Sequence, residues 1–144
     1  MNIKVKKLTE TAKLPAYGTD QAAGADIFAD ISDEQTVSPG GTVMIPCGIA
    51  LEIPRGYAGF VFARSGLASR EGLAPANKVG VIDSDYRGEI MVALHNHSME
   101  KRTVKPGERI AQLVIMPVEQ FRFEESPELS DTKRGTGGFG STGK

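Results

Sequence analysis

Every extended apolar run in this chain has the length of a strand, not of a helix. The runs 43–45, 49–53, 57–62, 90–94 and 110–116 hold three to seven residues each and are rich in Val, Ile and Phe. Such lengths are too short for the repeating apolar stripe of a packed helix, and β-branched and aromatic residues suit a pleated, half-buried surface. Between the runs stand Pro39-Gly40-Gly41, Pro54-Arg55-Gly56 and Lys105-Pro106-Gly107, which are turn signals. Many short strands split by Pro-Gly turns predict an all-β barrel or jelly roll. Only the segment 65–72 (SGLASREG) reads as a turn or two of helix.

The 144 residues suffice for one domain with a real core. A net charge of −1 offers no field for gathering nucleic acid. No apolar signal region opens the chain, and no run of about 18 apolar residues would cross a membrane as a helix. The single cysteine, Cys47, excludes an intramolecular disulfide and favours a reducing, cytosolic setting. Placed after Ile45-Pro46 and before a strand-like run, it reads as a small buried hydrophobe rather than a nucleophile.

From residue 126 the character changes. The segment 126–144 has Phe139 as its one aromatic, and five of its last ten residues are glycine. It cannot bury enough apolar area to offset its ordering entropy, so residues 1–125 are expected to form the domain and 126–144 a flexible arm. The arm contains two motif matches, a GxGxxG at 135–140 and a GxxxxGK at 138–144. Both normally need a strand before and a helix after, and the chain ends at Lys144, so neither carries its usual meaning.

The densest chemistry lies in 80–88 (GVIDSDYRG). Val81-Ile82 favours a strand end, and Asp83, Ser84, Asp85 and Gly88 favour a turn. A carboxylate beside a tyrosine ring can hold and deprotonate a water while the ring stacks on a sugar or base. The alternative is a surface turn whose Asp residues bond their own backbone. His95 and His97 form a His-x-His pair, but no third ligand lies near in sequence, and they read as surface histidines beside a turn at Asn96 and Ser98.

Five segments in order, 23–29 (AGADIFA), 63–68 (ARSGLA), 80–88, 107–113 (GERIAQL) and 134–143 (RGTGGFGSTG), resemble the five motifs of trimeric dUTP diphosphatases. The resemblance runs from about residue 14 to 144. Ala25 stands where an aromatic is common and Ala63 where a proline is common, and neither change removes a functional group. The resemblance implies a jelly-roll-like β-barrel, the β-clip fold of that family, with one short helix and a glycine-rich closing arm. It implies hydrolysis of dUTP to dUMP and pyrophosphate with Mg2+, at three sites between the subunits of a cytoplasmic homotrimer. That activity keeps uracil out of DNA and supplies dUMP for thymidylate synthesis. Neither nucleic acid nor a membrane is an implied partner.

By the same resemblance, Asp83 is the general base for the water that attacks the α-phosphorus. Asp26 helps hold magnesium through a coordinated water. Arg64, Ser65, Gly66 and Gln112 contact phosphate, for which a guanidinium fork, a hydroxyl and a glycine N–H at a short helix are apt groups. Asn77, Val81, Ile82 and Met91 fall where a β-hairpin reads uracil through backbone groups. Tyr86 lies against the deoxyribose, and Asp85 braces the turn. In the arm, Phe139 stacks on uracil while Arg134, Ser141 and Thr142 reach the outer phosphates. Two rivals remain: a dCTP deaminase of the same fold, which should carry a catalytic glutamate and lack this arm, and a non-catalytic nucleotide-binding protein, which should have lost Asp83 or the arm.

Overall fold

The computed structural model describes residues 2–138. Twelve strands follow in order: β1 (Lys4–Lys7), β2 (Ala16–Tyr17), β3 (Ala25–Phe28), β4 (Gln35–Val37), β5 (Thr42–Pro46), β6 (Ile49–Glu52), β7 (Tyr57–Phe62), β8 (Leu73–Pro75), β9 (Gly80–Ile82), β10 (Met91–Asn96), β11 (Arg102–Val104) and β12 (Arg109–Pro117). The expected helix is a single π-type turn, Leu67–Glu71, ended by Gly72 at φ 71°. All five apolar runs became strands. The three Pro-Gly turns work because Gly40, Gly56 and Gly107 sit at φ 69°, 84° and 70°, a left-handed region that residues with a Cβ rarely adopt.

Every strand pair is antiparallel. One sheet has the order β2-β3-β12-β7-β9, a second the order β5-β10-β8, and β1-β6 and β4-β11 form pairs. The result is the expected all-β, jelly-roll-like fold. Alternation sets its inside: along β10, Val92, Leu94 and Asn96 are buried while Met91, Ala93 and His95 face outward. Ile27, Ile45, Ile49, Leu73, Leu94 and Ile110 meet in one core with Val37, Val92 and Val104.

Asn96 is fully buried, and it ends β10 as well as forming the expected turn. Its Nδ2 donates to the carbonyls of Val37 (2.9 Å) and Glu100 (2.7 Å), and its Oδ1 accepts from the N–H and Oγ of Ser98. Such a group is tolerated inside only because all its polar atoms are matched. Cys47 is buried as expected, and its thiol is pushed up to about 12 by burial first, then by the Glu89 and Asp30 carboxylates. His97 is exposed, and its ring meets His95 edge-on at 4.4 Å.

After β12 ends at Pro117, residues 118–138 form no strand or helix and residues 118–136 are exposed. The regular structure thus ends before the change of composition at residue 126. No helix among the described residues is long and apolar enough to cross a membrane.

Candidate active site

The residues singled out in the sequence gather in two clefts. A cleft of about 340 Å³ is lined by Asn77, Val81, Ile82, Asp83, Tyr86 and Met91 together with Glu89. A second, of about 690 Å³, is lined by Asp26, Arg64, Ser65, Gly66 and Gln112 together with Arg70, Glu108 and Arg109. No residue lines both.

In the first cleft the supporting strands do not form a hairpin. β9 pairs with β7 and β10 pairs with β5 and β8, so the chain passes from one sheet to another through residues 83–90. β9 is the last strand of its sheet, and an edge strand presents backbone N–H and C=O groups to whatever docks there. Val81 is exposed, so the apolar strand ends in an accessible edge. Lys78 turns the chain into β9 with φ 66°.

The turn after β9 is held by its own backbone and by Arg87. The Tyr86 N–H donates to the Asp83 carbonyl (3.2 Å), and Arg87 Nη1 donates to the carbonyls of Ser84 (2.7 Å) and Tyr86 (2.9 Å). The bracing expected of Asp85 thus comes from Arg87 among the described bonds. Tyr86 Oη donates to the Glu89 carbonyl at 3.0 Å. The ring lies over Gly88, where a Cβ would overlap the phenol.

The second cleft is organised around Asp26. Arg64 Nε donates to its Oδ1 at 2.7 Å and Arg109 Nη1 to its Oδ2 at 3.2 Å. β3 supplies the carboxylate, the end of β7 supplies Arg64 and the start of β12 supplies Arg109, and these strands are neighbours in one sheet. Asp26 is the most buried member of the trio, so its charge is matched where water is scarce. Gln112 Nε2 donates to the Ala63 carbonyl at 2.8 Å, and its amide packs on Gly24, where a Cβ would meet Oε1 at 2.5 Å. The Gly66 Cβ position is 2.9 Å from Arg70 Nη2. Ser69 Oγ donates to the Ser65 carbonyl, and Ser65 is an exposed residue of the cleft wall.

Arg109, Arg70 and Glu108 were in quoted segments or beside them, yet sequence reasoning gave them no part. The available signal for Arg109 was its place in GERIAQL, close to Gln112 on the same strand. Arg134 is described and its Nε donates to the Gly137 carbonyl at 2.7 Å. Phe139, Ser141 and Thr142 lie outside the described residues.

A family model described as dUTPase matches residues 10–143. The chain belongs to the dUTPase family. It is 54% identical over 147 residues to a deoxyuridine 5'-triphosphate nucleotidohydrolase of Desulfitobacterium hafniense (strain DSM 10664 / DCB-2), covering 99% of this chain and 97% of that protein. It is 51% identical to the enzyme of the same name from Nautilia profundicola, over the whole of both chains. Among solved structures, a variant of Staphylococcus bacteriophage 80alpha dUTPase with dUpNHpp superposes with a TM-score of 0.86 at 29% identity, covering 99% of each chain.

Proposed function

We propose that the protein hydrolyses dUTP to dUMP and pyrophosphate, with uracil and deoxyribose in the Asp83–Tyr86 cleft and phosphates in the Asp26–Arg64 cleft. The observation that carries this reading is the sorting of the candidate residues. Every base-side and sugar-side residue on the described chain lines the first cleft, and every phosphate-side residue of the barrel lines the second.

Register then argues that one chain does not complete the site. Ile82 stands opposite Gly59, so Asp83 is level with Ala58 at one end of β7, whereas Arg64 lies past the other end. The step from Ala58 to Arg64 at about 3.3 Å per residue spans roughly 20 Å. A base and a phosphate clamp acting on one phosphorus must stand within a few Å of a shared atom. Joining the Asp83 cleft of one copy to the Arg64 cleft of another meets that need, which supports sites between subunits, as in the homotrimer that the resemblance implies.

In the assembled site the Asp83 carboxylate accepts the proton of the water that attacks the α-phosphorus. The Tyr86 ring fills the volume beside C2′ and excludes a ribose. Backbone groups at the β9 edge present donors and an acceptor to uracil, and cytosine would leave them unmatched at a cost. Arg64, Arg109 and Gln112 hold and orient phosphate oxygens.

The phosphate cleft carries Arg64, Arg70 and Arg109 against Asp26, Glu71 and Glu108, so it is close to neutral. It does not by itself offset the roughly four negative charges of a nucleoside triphosphate. Among the described residues no group of three or more His, Cys, Asp or Glu could cage a metal. The donor set would fit magnesium arriving with its substrate: waters and phosphate oxygens would ligate it, and the Asp26 carboxylate would hold it through one of those waters. Bound there, magnesium supplies charge to the phosphates, and Asp26 faces it while Arg64 and Arg109 keep that carboxylate oriented.

Residues 126–144 then act as the closing arm, with Arg134 on the outer phosphates. The lone buried Cys47 supports a cytosolic setting. The deciding experiment is incubation with each deoxynucleoside triphosphate and magnesium, scored for pyrophosphate. Release from dUTP alone is expected; deamination of dCTP, or no product, would overturn the reading.

A further inference from the structure

Glu89 is the second carboxylate on the wall of the base-side cleft, and its side chain is engaged by the backbone of the neighbouring 47–49 segment. Its Oε1 accepts the Gly48 N–H at 2.9 Å, while its own carbonyl accepts Tyr86 Oη at 3.0 Å. On either side of Gly48, the Cys47 N–H donates to the Ile90 carbonyl (3.0 Å) and the Ile90 N–H to the Ile49 carbonyl (2.8 Å).

Gly48 is a fixed point. Its φ is 64°, and the space a Cβ would need is filled by Asp30 and by Ala12 Cβ at 2.7 Å. Asp30 is in turn held by Thr9 Oγ1 (2.5 Å) and Thr11 Oγ1 (2.7 Å), and the Gly48 carbonyl accepts the Leu8 N–H at 2.8 Å. By contrast, the segment 83–90 crosses between two sheets whose facing strands do not pair. Its far end is therefore located by Glu89 and Ile90, and Tyr86 is tied to Glu89.

We infer that Glu89 is a positioning residue that fixes Tyr86 through Gly48 and so sets the preference for deoxyribose over ribose. This rests on the reading of Tyr86 as the sugar wall. The group that matters is the acceptor oxygen, not the charge, because its partner is a neutral backbone N–H.

The test compares the full-length parent with Glu89→Ala and Glu89→Gln. Amide exchange at Gly48 is measured without ligand, and kcat and KM are measured for dUTP and UTP. In Glu89→Ala, Gly48 exchange should accelerate and the dUTP:UTP ratio of kcat/KM should fall, each by up to about tenfold, the upper end of the range for one net hydrogen bond. The loss should appear in KM for dUTP more than in kcat, since Asp83 is untouched. Glu89→Gln keeps an acceptor and should return both readouts most of the way to the parent. Should Glu89→Ala fail to fold, Glu89→Met keeps the volume without the acceptor and carries the same expectation. A selective parent whose Ala or Met form keeps its selectivity overturns the inference alone, as does a Gln form as impaired as Ala. A parent without preference for dUTP over UTP overturns the reading of Tyr86 and this inference with it.

Discussion

The Tyr86 ring rests on the backbone of Gly88, two residues further along, and glycine is the residue that leaves room for it. The phenol is anchored at its far end by the Glu89 carbonyl. Gly88→Ala should therefore push the ring aside instead of expanding the core, because Tyr86 is an exposed side chain. Discrimination between dUTP and UTP should fall about tenfold, while the melting temperature moves by only a few degrees, as for surface substitutions. Steady-state kinetics with both nucleotides and a thermal melt check this; an unchanged ratio would place sugar selection elsewhere.

Asp83→Asn keeps the size of the side chain and can still hold a water, but takes no proton at neutral pH. Its kcat for dUTP should drop by roughly 10²–10⁴, the range for loss of a general base. Affinity for a non-hydrolysable dUTP analogue should stay within a few-fold, as titration calorimetry would report. Turnover near the parental rate would remove Asp83 from that role.

The separation of the clefts along β7 gives a complementation experiment. Asp83→Asn and Arg64→Ala should each be inactive as pure proteins. Denatured together in equal amounts and refolded, they should recover about one quarter of parental activity. Random cyclic trimers are mixed in three cases of four, and each mixed ring has one site with both parts intact. If both residues served the same chain's site, the mixture would stay inactive.

Asn96→Ala should destabilise the fold by about 2–4 kcal/mol, because it removes the donor to the buried Val37 carbonyl and the acceptor of the Ser98 N–H. Denaturant unfolding measures the change. A loss under about 0.5 kcal/mol would mean that water replaces the amide.

With its thiol pushed up to about 12 by burial and by two carboxylates, Cys47 should be about one part in 10⁵ thiolate at pH 7. Folded protein should therefore resist a thiol reagent at neutral pH and react fully once unfolded. The raised value means that reactivity grows with pH, so labelling of folded protein at pH 7 as fast as free cysteine would contradict the buried placement.

Much of the fold was legible because its large strands are apolar runs cut by Pro-Gly turns. β2, β4, β8 and β11 were not, since two or three residues carry no periodicity. Asp83, Tyr86, Arg64 and Asp26 could be picked out as candidates from local motifs, each a few residues long, and the structure places each on a cleft wall. What motifs do not carry is register: nothing in the string tells which end of β7 meets Asp83. Nor does it tell that Arg109 and Arg64, from separate strands, share one carboxylate. The hairpin expected around uracil failed for the same reason, as β9 and β10 follow each other in sequence but join different sheets.

The opposite placement of the two clefts on β7 has a consequence for how the enzyme is measured. A site assembled from two copies exists only while those copies are together. Specific activity per milligram should then fall as the protein is diluted below the dissociation constant of the assembly, and recover on concentration. A rate quoted without the protein concentration would confound turnover with assembly.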